Sequence, residues 1–421
     1  MASLSIVATH STRIVWTLVL CTSLALLGDA TLYAVLPSQY ARVGITVLQV
    51  GWLLSINRLA RIPLNLVSGW LANHLGAKKP YWVGLFLGAL STTGYGLVRG
   101  FWPLLFLRVG WGIAWALLAV AAYSLVLDVS QEENRGRLMG TYATFSYLGG
   151  ALGSILGGAL VDSLGFPGAM RILGALTFLA CLFALTLPSS PSVRVEPMPL
   201  HRKLQSFRQS FQLNTSSWLI VLLNFGHRFF FAGIFYSTFG LYLQRTIGDR
   251  LSLGGRIWGI ASLTATLLFL RNVITVLTGP SLGYISDRLR SRSSILILGE
   301  ILGITALITL GATSSLWGLG LGVLTAAMAY GIIPPMLLAW IGDLSDAGKR
   351  GGLVGSYQTM GDLGSGLGPL VAYALTNKLG ISNVYLISGV ALVLSIPLIL
   401  LAKKQGAERN SPPPLDSPPS P

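Results

Sequence analysis

Two arginines, Arg58 and Arg61, interrupt a long apolar stretch of the chain, within the segment SINRLARIP at residues 55–63. A fixed charge in the apolar core of a bilayer costs on the order of 3 kcal/mol, so it needs an ionic partner or water. A guanidinium binds carboxylate, phosphate or sulfate groups through paired hydrogen bonds. The chemistry predicted for this segment is therefore recognition of an anion, which is either a substrate or a carboxylate of the protein.

Arg271, in the other half of the chain, occupies a position equivalent to that of Arg58. At 1.5 Å per helical residue, Arg58 lies about 16 Å before Gly69 and Arg271 lies about 18 Å before Gly283. The two arginines are therefore expected on opposite walls of one polar cavity. Neighbouring polar residues on the same helices extend this candidate site. The candidate substrate-binding residues are Arg58, Arg271, Arg228, Asn57, Asn224, Asn272 and Tyr242.

The composition indicates a membrane protein whose helices cross the bilayer many times. The chain has 421 residues, of which 52% are hydrophobic and only 10% charged, whereas a soluble domain has about a quarter charged residues. Its mean hydropathy is +0.68, and apolar runs of the length that spans a bilayer recur along the chain. We expect an all-α fold and no β-barrel, because short alternating segments are absent from the sequence.

Twelve helices are predicted, in two groups of six. Their approximate ranges are 14–36, 46–72, 80–98, 103–127, 138–162, 168–187, 216–244, 257–285, 293–313, 316–341, 353–376 and 382–402. The predicted domains are an N-terminal lobe at 1–187, a cytoplasmic linker at 188–215, a C-terminal lobe at 216–402 and a disordered Pro-rich tail at 403–421. The adjacent prolines Pro334 and Pro335 are predicted to break the tenth helix.

The net charge of +15 is explained by Lys and Arg in the segments on the side of both termini. Such enrichment marks the cytoplasmic side of a membrane. We therefore expect a protein of the plasma membrane with both termini in the cytoplasm. Nucleic-acid binding is therefore not needed to explain the positive charge. Cys21 and Cys181 both lie in apolar segments, which favours packing over a disulfide or metal site.

Two loop motifs repeat between the halves. The segment GWLANHLGAKK at 69–79 matches GYISDRLRSR at 283–292, and LDVSQEENRGRLMG at 127–140 matches GDLSDAGKRGGLVG at 342–355. The first loop resembles the G-x-L-x-D-R-x-G-R-K motif of the major facilitator superfamily, with Asn73 and His74 in place of its Asp-Arg pair. That resemblance implies two pseudo-symmetric six-helix lobes with the transport pathway between them. It also implies gating by residues of these loops, which are Gly69, Asn73, Asp128, Arg135, Asp287, Arg288, Asp343 and Arg350.

Glycine spacing on the fifth helix resembles the antiporter signature of the same superfamily, with Ser154 replacing its proline. The eleventh helix has a related pattern, and Asp29-x-Thr31 resembles a motif of drug:proton antiporters. Small residues let backbones approach closely, so we expect these helices to pack against the opposite lobe. The predicted packing residues are Gly149, Gly153, Gly157, Gly364, Gly368 and Pro369.

Proton coupling requires a group that exchanges protons, and ionisable residues within the predicted helices supply candidates. Asp29 beside Arg108 is the first, Asp362 is the second, and His227 titrates near neutral pH in its unperturbed form. Alternatively, Asp29 or Asp362 neutralises an arginine and braces the lobes. The chain carries no nucleotide-binding motif, metal-ligand cluster or nucleophile–base arrangement, so neither enzyme activity nor a cofactor is expected.

The prediction is a monomeric secondary transporter for a small-molecule substrate, with proton-coupled efflux of an organic, anionic or amphiphilic solute. An importer of anions or organic acids and a flippase for lipid-like substrates are the alternatives within transport. A receptor without transport activity is the alternative from another class. The sequence has no long loop or additional domain to support it.

Overall fold

A computed structural model describes residues 2–131, 134–188, 215–253, 255–289, 292–344 and 350–410. Within these ranges the chain forms twelve helices. They are α1 Ala2–Gln39, α2 Val47–Leu75, α3 Lys78–Tyr95, α4 Phe101–Asp128, α5 at 135–164, α6 at 166–184, α7 Thr215–Ile247, α8 Ile260–Leu289, α9 Arg292–Ala312, α10 Leu316–Leu344, α11 Arg350–Leu379, and α12 formed by Ile381–Leu392 and Ser395–Asn410.

Eight helical segments in the described ranges are long and apolar enough to cross a membrane. One of them, Arg137–Ala184, has 48 residues and contains both α5 and α6. These helices bend apart at Gly165, whose φ of 73° and ψ of 166° interrupt the helix. Glycine adopts this positive φ without a steric cost. The predicted all-α, twelve-helix membrane fold is confirmed.

The predicted start of the eighth helix is wrong. Residues 256–259 form a strand, because Arg256–Gly259 pairs antiparallel with Arg250–Leu253 in a short hairpin before α8. The backbone N–H of Ile260 donates to the carbonyl of Asp249 over 3.0 Å and closes the hairpin where α8 begins. Gly255 supplies a positive φ of 73° at the turn.

The predicted break in the tenth helix and the predicted end of the twelfth are also wrong. Helix α10 continues through Pro334 and Pro335 as far as Leu344. The hydroxyl of Tyr357 on α11 donates to the carbonyl of Pro334 over 3.1 Å. The last helix extends to Asn410, so residues 403–410 are helical. The predicted linker lies almost entirely outside the described residues, and so do residues 411–421.

The predicted packing glycines lie against partners in their own lobe. Gly149, Gly153 and Gly157 face Ser23, Leu27 and Thr31 of α1. On α11, Gly364 faces the backbone of Phe225 and Gly368 faces that of Gly233, both on α7. The glycine stripe of each helix thus turns toward a helix of its own lobe. The helices themselves do pack against the opposite lobe, as expected, α5 on α8 and α11 on α2, and Pro369 of the predicted set faces α2.

Other small residues bring the two lobes together. A Cβ atom added to Gly51 on α2 would lie 2.9 Å from the carbonyl oxygen of Pro369, so Pro369 faces α2. A Cβ atom added to Gly158 on α5 would lie 2.7 Å from the carbonyl oxygen of Ala261 on α8. Asp162 at the end of α5 accepts a hydrogen bond of 2.8 Å from the backbone N–H of Ser262 on α8. These contacts lie toward the end of the bundle opposite the chain termini, so the lobes are closed at that end.

We predict that Gly153→Ala destabilises the protein, whereas Gly140→Ala on the same helix does not. The added Cβ at Gly153 would lie 2.6 Å from the Cα of Leu27, while at Gly140 it meets nothing within 4 Å. Overpacking costs about 1–3 kcal/mol, which exceeds the gain of up to about 1 kcal/mol from alanine's helix propensity. Thermal unfolding in detergent should give a lower Tm for Gly153→Ala alone. Equal Tm values would contradict the close packing of α1 on α5.

Candidate functional site

The first ionic contact of the bundle interior lies within the N-terminal lobe. Nη1 of Arg108 on α4 is 2.6 Å from Oδ1 of Asp29 on α1. Nε of Arg108 donates to the carbonyl of Leu53 over 3.0 Å, and Nδ2 of Asn57 lies 3.4 Å from the same Asp29 oxygen. The Arg108 side chain is only 1% exposed. This network joins α1, α2 and α4, so it ties three helices of one lobe together.

Arg58 has a tyrosine as its partner instead of a carboxylate. Its Nε donates to the hydroxyl of Tyr33 on α1 over 3.1 Å, and its guanidinium lies 5.2 Å from the centre of the Tyr33 ring. The Tyr33 hydroxyl in turn donates to the carbonyl of Leu54 over 3.0 Å. Arg108 also contacts this ring, at 5.1 Å. Arg58 therefore keeps its full charge without an anionic partner in the described part of the chain.

Arg271 is held in a similar way in the C-terminal lobe. Its guanidinium lies 4.2 Å from the ring centre of Tyr330 on α10 and 5.7 Å from that of Tyr236 on α7. Its Nη1 donates to Oδ1 of the adjacent Asn272 over 3.1 Å. Its Nε is buried and has no hydrogen-bond partner within the described ranges. Cation–π contact with two rings thus takes the place of an ion pair.

A tyrosine pair connects these two arginines across the lobe interface. The rings of Tyr33 and Tyr236 are 5.5 Å apart, with Arg58 over the first and Arg271 over the second. The structure thus places Arg58 and Arg271 on the two sides of the interface, in the arrangement that the sequence repeat predicts. We refer below to the midplane cluster, which comprises Arg58, Arg228, Arg271, Tyr33, Tyr236 and Tyr330.

Arg228 joins the cluster from α7, beside two further residues with unused hydrogen-bonding atoms. Nδ2 of Asn224 donates to the carbonyl of Tyr357 over 2.7 Å, while its Oδ1 has no partner in the described part of the chain. The same holds for Nε of Arg228 and for both ring nitrogens of His227. The His227 ring packs 5.3 Å from the ring of Tyr330. Buried polar atoms normally have partners, so these unpaired atoms mark candidate positions for contact with a ligand.

Arg61 and Asp362 form the second ionic contact, which crosses between the lobes. Nη2 of Arg61 on α2 is 3.2 Å from Oδ1 of Asp362 on α11, and the two side chains are 15% and 22% exposed. The sequence left open whether a carboxylate neutralises an arginine of this segment. The structure answers this for Arg61 but shows no such partner for Arg58 among the described residues.

Tyr242 lies outside the cluster, so its prediction as a binding residue is wrong. Its hydroxyl donates to the carbonyl of Thr313 over 3.1 Å, and its ring packs against that of Tyr385. The prediction extended the α-helical period from Arg228 to Tyr242. Residues Arg228–Phe235 instead form a π-helix, whose wider turn changes the face that later residues occupy.

Tyr33, Tyr236 and Tyr330 are the site residues that the sequence reasoning missed. Tyr33 follows Asp29 by four residues, so the two share a face of α1, and this spacing was a usable signal. Tyr236 gave no such signal, because the π-helix lies between it and Arg228. Tyr330 lies in a helix with no ionised residue between 316 and 341, so no charged neighbour on that helix indicated it as a site residue.

Most of the predicted gating side chains lie outside the described residues. This applies to the side chains of Asn73, Arg135, Asp287, Arg288, Asp343 and Arg350. Asp128 is exposed at the end of α4, and a Cβ atom at Gly69 would meet nothing within 4 Å. The gating role of these loops stays a prediction.

Comparison with known protein families identifies the family of this chain. The Major Facilitator Superfamily model matches residues 18–274 and 259–420. The chain belongs to the major facilitator superfamily. Multidrug resistance protein MdtG of Enterobacter lignolyticus is 23% identical over 309 residues, which cover 71% of this chain and 69% of MdtG. An uncharacterised transporter of the superfamily from Mycobacterium tuberculosis, Rv1250, is 32% identical over 139 residues, which cover 33% of this chain and 24% of that protein.

Solved structures share the fold at low sequence identity. The nucleoside transporter NupG has a TM-score of 0.74 at 14% identity, with 93% of this chain and 99% of NupG covered. A bacterial homologue of the human lysosomal transporter Spinster, in an inward-facing and occupied conformation, has a TM-score of 0.75 at 18% identity, with 95% of this chain and 98% of that chain covered. These superfamily transporters confirm the two-lobed fold of this integral membrane protein.

We predict that Asp29→Asn destabilises the protein strongly, whereas Asp29→Asn combined with Arg108→Gln is more stable than the single variant. Removing one partner of a buried pair leaves an uncompensated charge and costs about 3–5 kcal/mol. The double variant removes both charges. Thermal unfolding of both variants measures this difference, with Asp249→Asn, at an exposed position, as the surface control. A single variant as stable as the double would contradict the role of this pair in bracing the lobe.

Proposed function

We propose that this superfamily member is a secondary transporter that binds a small organic anion at the midplane cluster and moves it by alternating access. One observation supports this most directly. Of the five arginines near the midplane, only Arg61 and Arg108 have a carboxylate partner among the described residues. Arg58, Arg228 and Arg271 keep three positive charges that a bound anion would neutralise.

The tyrosines favour an organic anion over a small inorganic one. Tyr33, Tyr236 and Tyr330 place aromatic faces beside the arginines, and pockets of this kind bind the apolar part of a ligand while the charged groups orient it. The unused atoms of Asn224 and His227 supply further hydrogen bonds. An amphiphilic organic acid thus fits the cluster better than a neutral or cationic solute.

We further propose that the protein works as a monomer in the cell membrane, with both termini in the cytoplasm, and has no catalytic activity. The excess of Lys and Arg on the side of the termini supports this orientation. Protons are the proposed coupling ion, with Asp29, Asp362 and His227 as candidate sites. Export is supported by the similarity to MdtG and by the antiporter-like glycine pattern. The glycines of that pattern pack α5 on α1, so the pattern also has a structural explanation.

We predict that benzenesulfonate binds to the purified protein, whereas neutral benzenesulfonamide and cationic benzyltrimethylammonium bind at least tenfold more weakly. Benzenesulfonate remains an anion across the usable pH range, so its charge is constant. Arg58→Gln, Arg228→Gln and Arg271→Gln should each lower its affinity about tenfold or more, because a hydrogen bond to a charged group contributes about 1.5–3 kcal/mol. Isothermal titration calorimetry in detergent measures these affinities.

Arg99→Gln provides the matched control, because it removes the same charge from an exposed position between α3 and α4. Its affinity for benzenesulfonate should equal that of the wild type. Octanesulfonate tests an aliphatic anion in the same way. Failure of both sulfonates to bind, or tighter binding of the cation, would contradict the proposal. Uptake by proteoliposomes and by everted vesicles then gives the direction of transport.

A further inference from the structure

The two lobes contact each other along two helix pairs, α5 with α8 and α2 with α11. We call these contacts the α5–α8 interface and the α2–α11 interface. At the end opposite the termini, Gly158 of α5 lies against Ala261 and Ala265 of α8, and Asp162 accepts the hydrogen bond from the backbone N–H of Ser262. The helices of the α5–α8 interface are too close at this end for a ligand to fit between them.

The same interface opens toward the end that carries the termini. Tyr147 lies eleven residues before Gly158, which is three helical turns, so both occupy the same face of α5. Ala151 on this face is buried, whereas Tyr147 is 68% exposed. The facing side of α8 changes in the same way, since Leu268 is buried and Val276 is 42% exposed. The lobes therefore separate between Ala151 and Tyr147.

The exposed ring of Tyr147 lies at the level of the midplane cluster. Tyr147 lies three turns along α5 from the contact with α8, and Arg271 lies nearly three turns along α8 from the same contact. Arg228 of α7, in the other lobe, is near enough to Tyr147 for an electrostatic interaction between the two side chains. The ring of Tyr147 thus faces the cavity between the lobes, beside two arginines of the cluster.

The sequence repeat shows how the two interfaces differ at this level. Tyr147 and Asp362 each follow the last glycine of the second repeated loop segment by seven residues, so they occupy equivalent positions in the two halves. At the α2–α11 interface, Asp362 forms the ion pair with Arg61. At the α5–α8 interface, Tyr147 takes the place of that carboxylate, and α8 has no ionised residue at 272–286. One interface is therefore ionic at the midplane, and the other is aromatic and apolar.

We propose that Tyr147 lines a subsite for the apolar part of the substrate, in the gap between α5 and α8. This inference rests on the proposed anion site. The anionic group binds at the midplane cluster, and the apolar group attached to it extends past Tyr147. The ion pair of Arg61 and Asp362 keeps an apolar group out of the other interface, because such a group would remove charged atoms from their polar surroundings.

The borders of this subsite indicate the class of substrate. Tyr123 of α4 is 41% exposed and lies near Tyr147, and its ring packs edge-on against that of Tyr142. Val276 faces them from the C-terminal lobe. Aromatic and aliphatic side chains of this kind bind the apolar surface of a ligand. The substrate is thus an organic anion with an extended apolar part, in which a second ring or a chain reaches beyond the group held at the cluster.

The test compares benzenesulfonate with biphenyl-4-sulfonate, which has the same anionic group and one more ring. Isothermal titration calorimetry of the wild type should show about tenfold tighter binding of biphenyl-4-sulfonate, because its second ring leaves water. Tyr147→Ala should remove this difference but keep the affinity for benzenesulfonate within about twofold of the wild type. Tyr147→Phe keeps the ring and should retain both affinities. Partition of a probe into detergent is the same for all variants, so it does not affect their comparison.

Phe145→Ala is the matched control for the loss of a ring. It removes an exposed aromatic side chain two positions from Tyr147, on the other side of α5, and should leave both affinities unchanged. Retained binding of benzenesulfonate shows that a variant is folded and that its anion site is intact. Arg58→Gln should lower the affinity for both sulfonates, because it acts on the anionic group that they share.

Failure of the subsite and failure of the proposed function give different results. Equal wild-type affinities for the two sulfonates, an unchanged difference in Tyr147→Ala, or an equal loss of both affinities in this variant would overturn the subsite and leave the anion site intact. No binding of either sulfonate to the wild type would contradict the anion site, and the subsite with it. Neutral biphenyl-4-sulfonamide should bind about tenfold or more weakly than the sulfonate. Equal binding of the two that depends on Tyr147 would retain the apolar contact and contradict the recognition of an anion.

Discussion

The charges of five arginines in a low-dielectric interior are the constraint on which the site depends. Two of them are neutralised by carboxylates, and three lie beside tyrosines or unused polar atoms. Cation–π contact stabilises a guanidinium by about 0.5–2 kcal/mol, less than the cost of an isolated charge in a membrane core. Tyrosine therefore holds these arginines in position without replacing the anion that would neutralise them.

Close backbone contact provides the complementary constraint, because the arginines can face one another only if the lobes meet. Gly51, Gly158 and Gly240 allow this approach, since a Cβ atom added to any of them would lie within 3 Å of an atom of the other lobe. These contacts lie at the end of the bundle opposite the termini. The midplane cluster thus lies next to a closed end, which is the geometry that alternating access requires of one of its two states.

The sequence predicted those parts of the site that follow from helical spacing and from the repeat. The equivalent positions of Arg58 and Arg271 in the two halves placed them on opposite sides of the interface. Pairing across lobes was not predictable, because nothing local relates Arg61 to Asp362. The π-helix at Arg228–Phe235 interrupts the α-helical period on which the prediction of Tyr242 as a binding residue rested. The hairpin before α8 was missed because Arg256–Gly259 continues directly into an apolar helical pattern.

The location of an ion pair relative to the moving parts determines what its protonation can do. A pair inside one lobe, such as Asp29 and Arg108, moves as part of a rigid unit, so its charge state changes the stability of that unit. A pair between lobes, such as Arg61 and Asp362, contributes to one arrangement of the lobes and not to another. Because a ligand shifts an equilibrium only through different interactions with its states, a change of charge can bias lobe movement only at a contact that differs between the two arrangements, as a contact between lobes does.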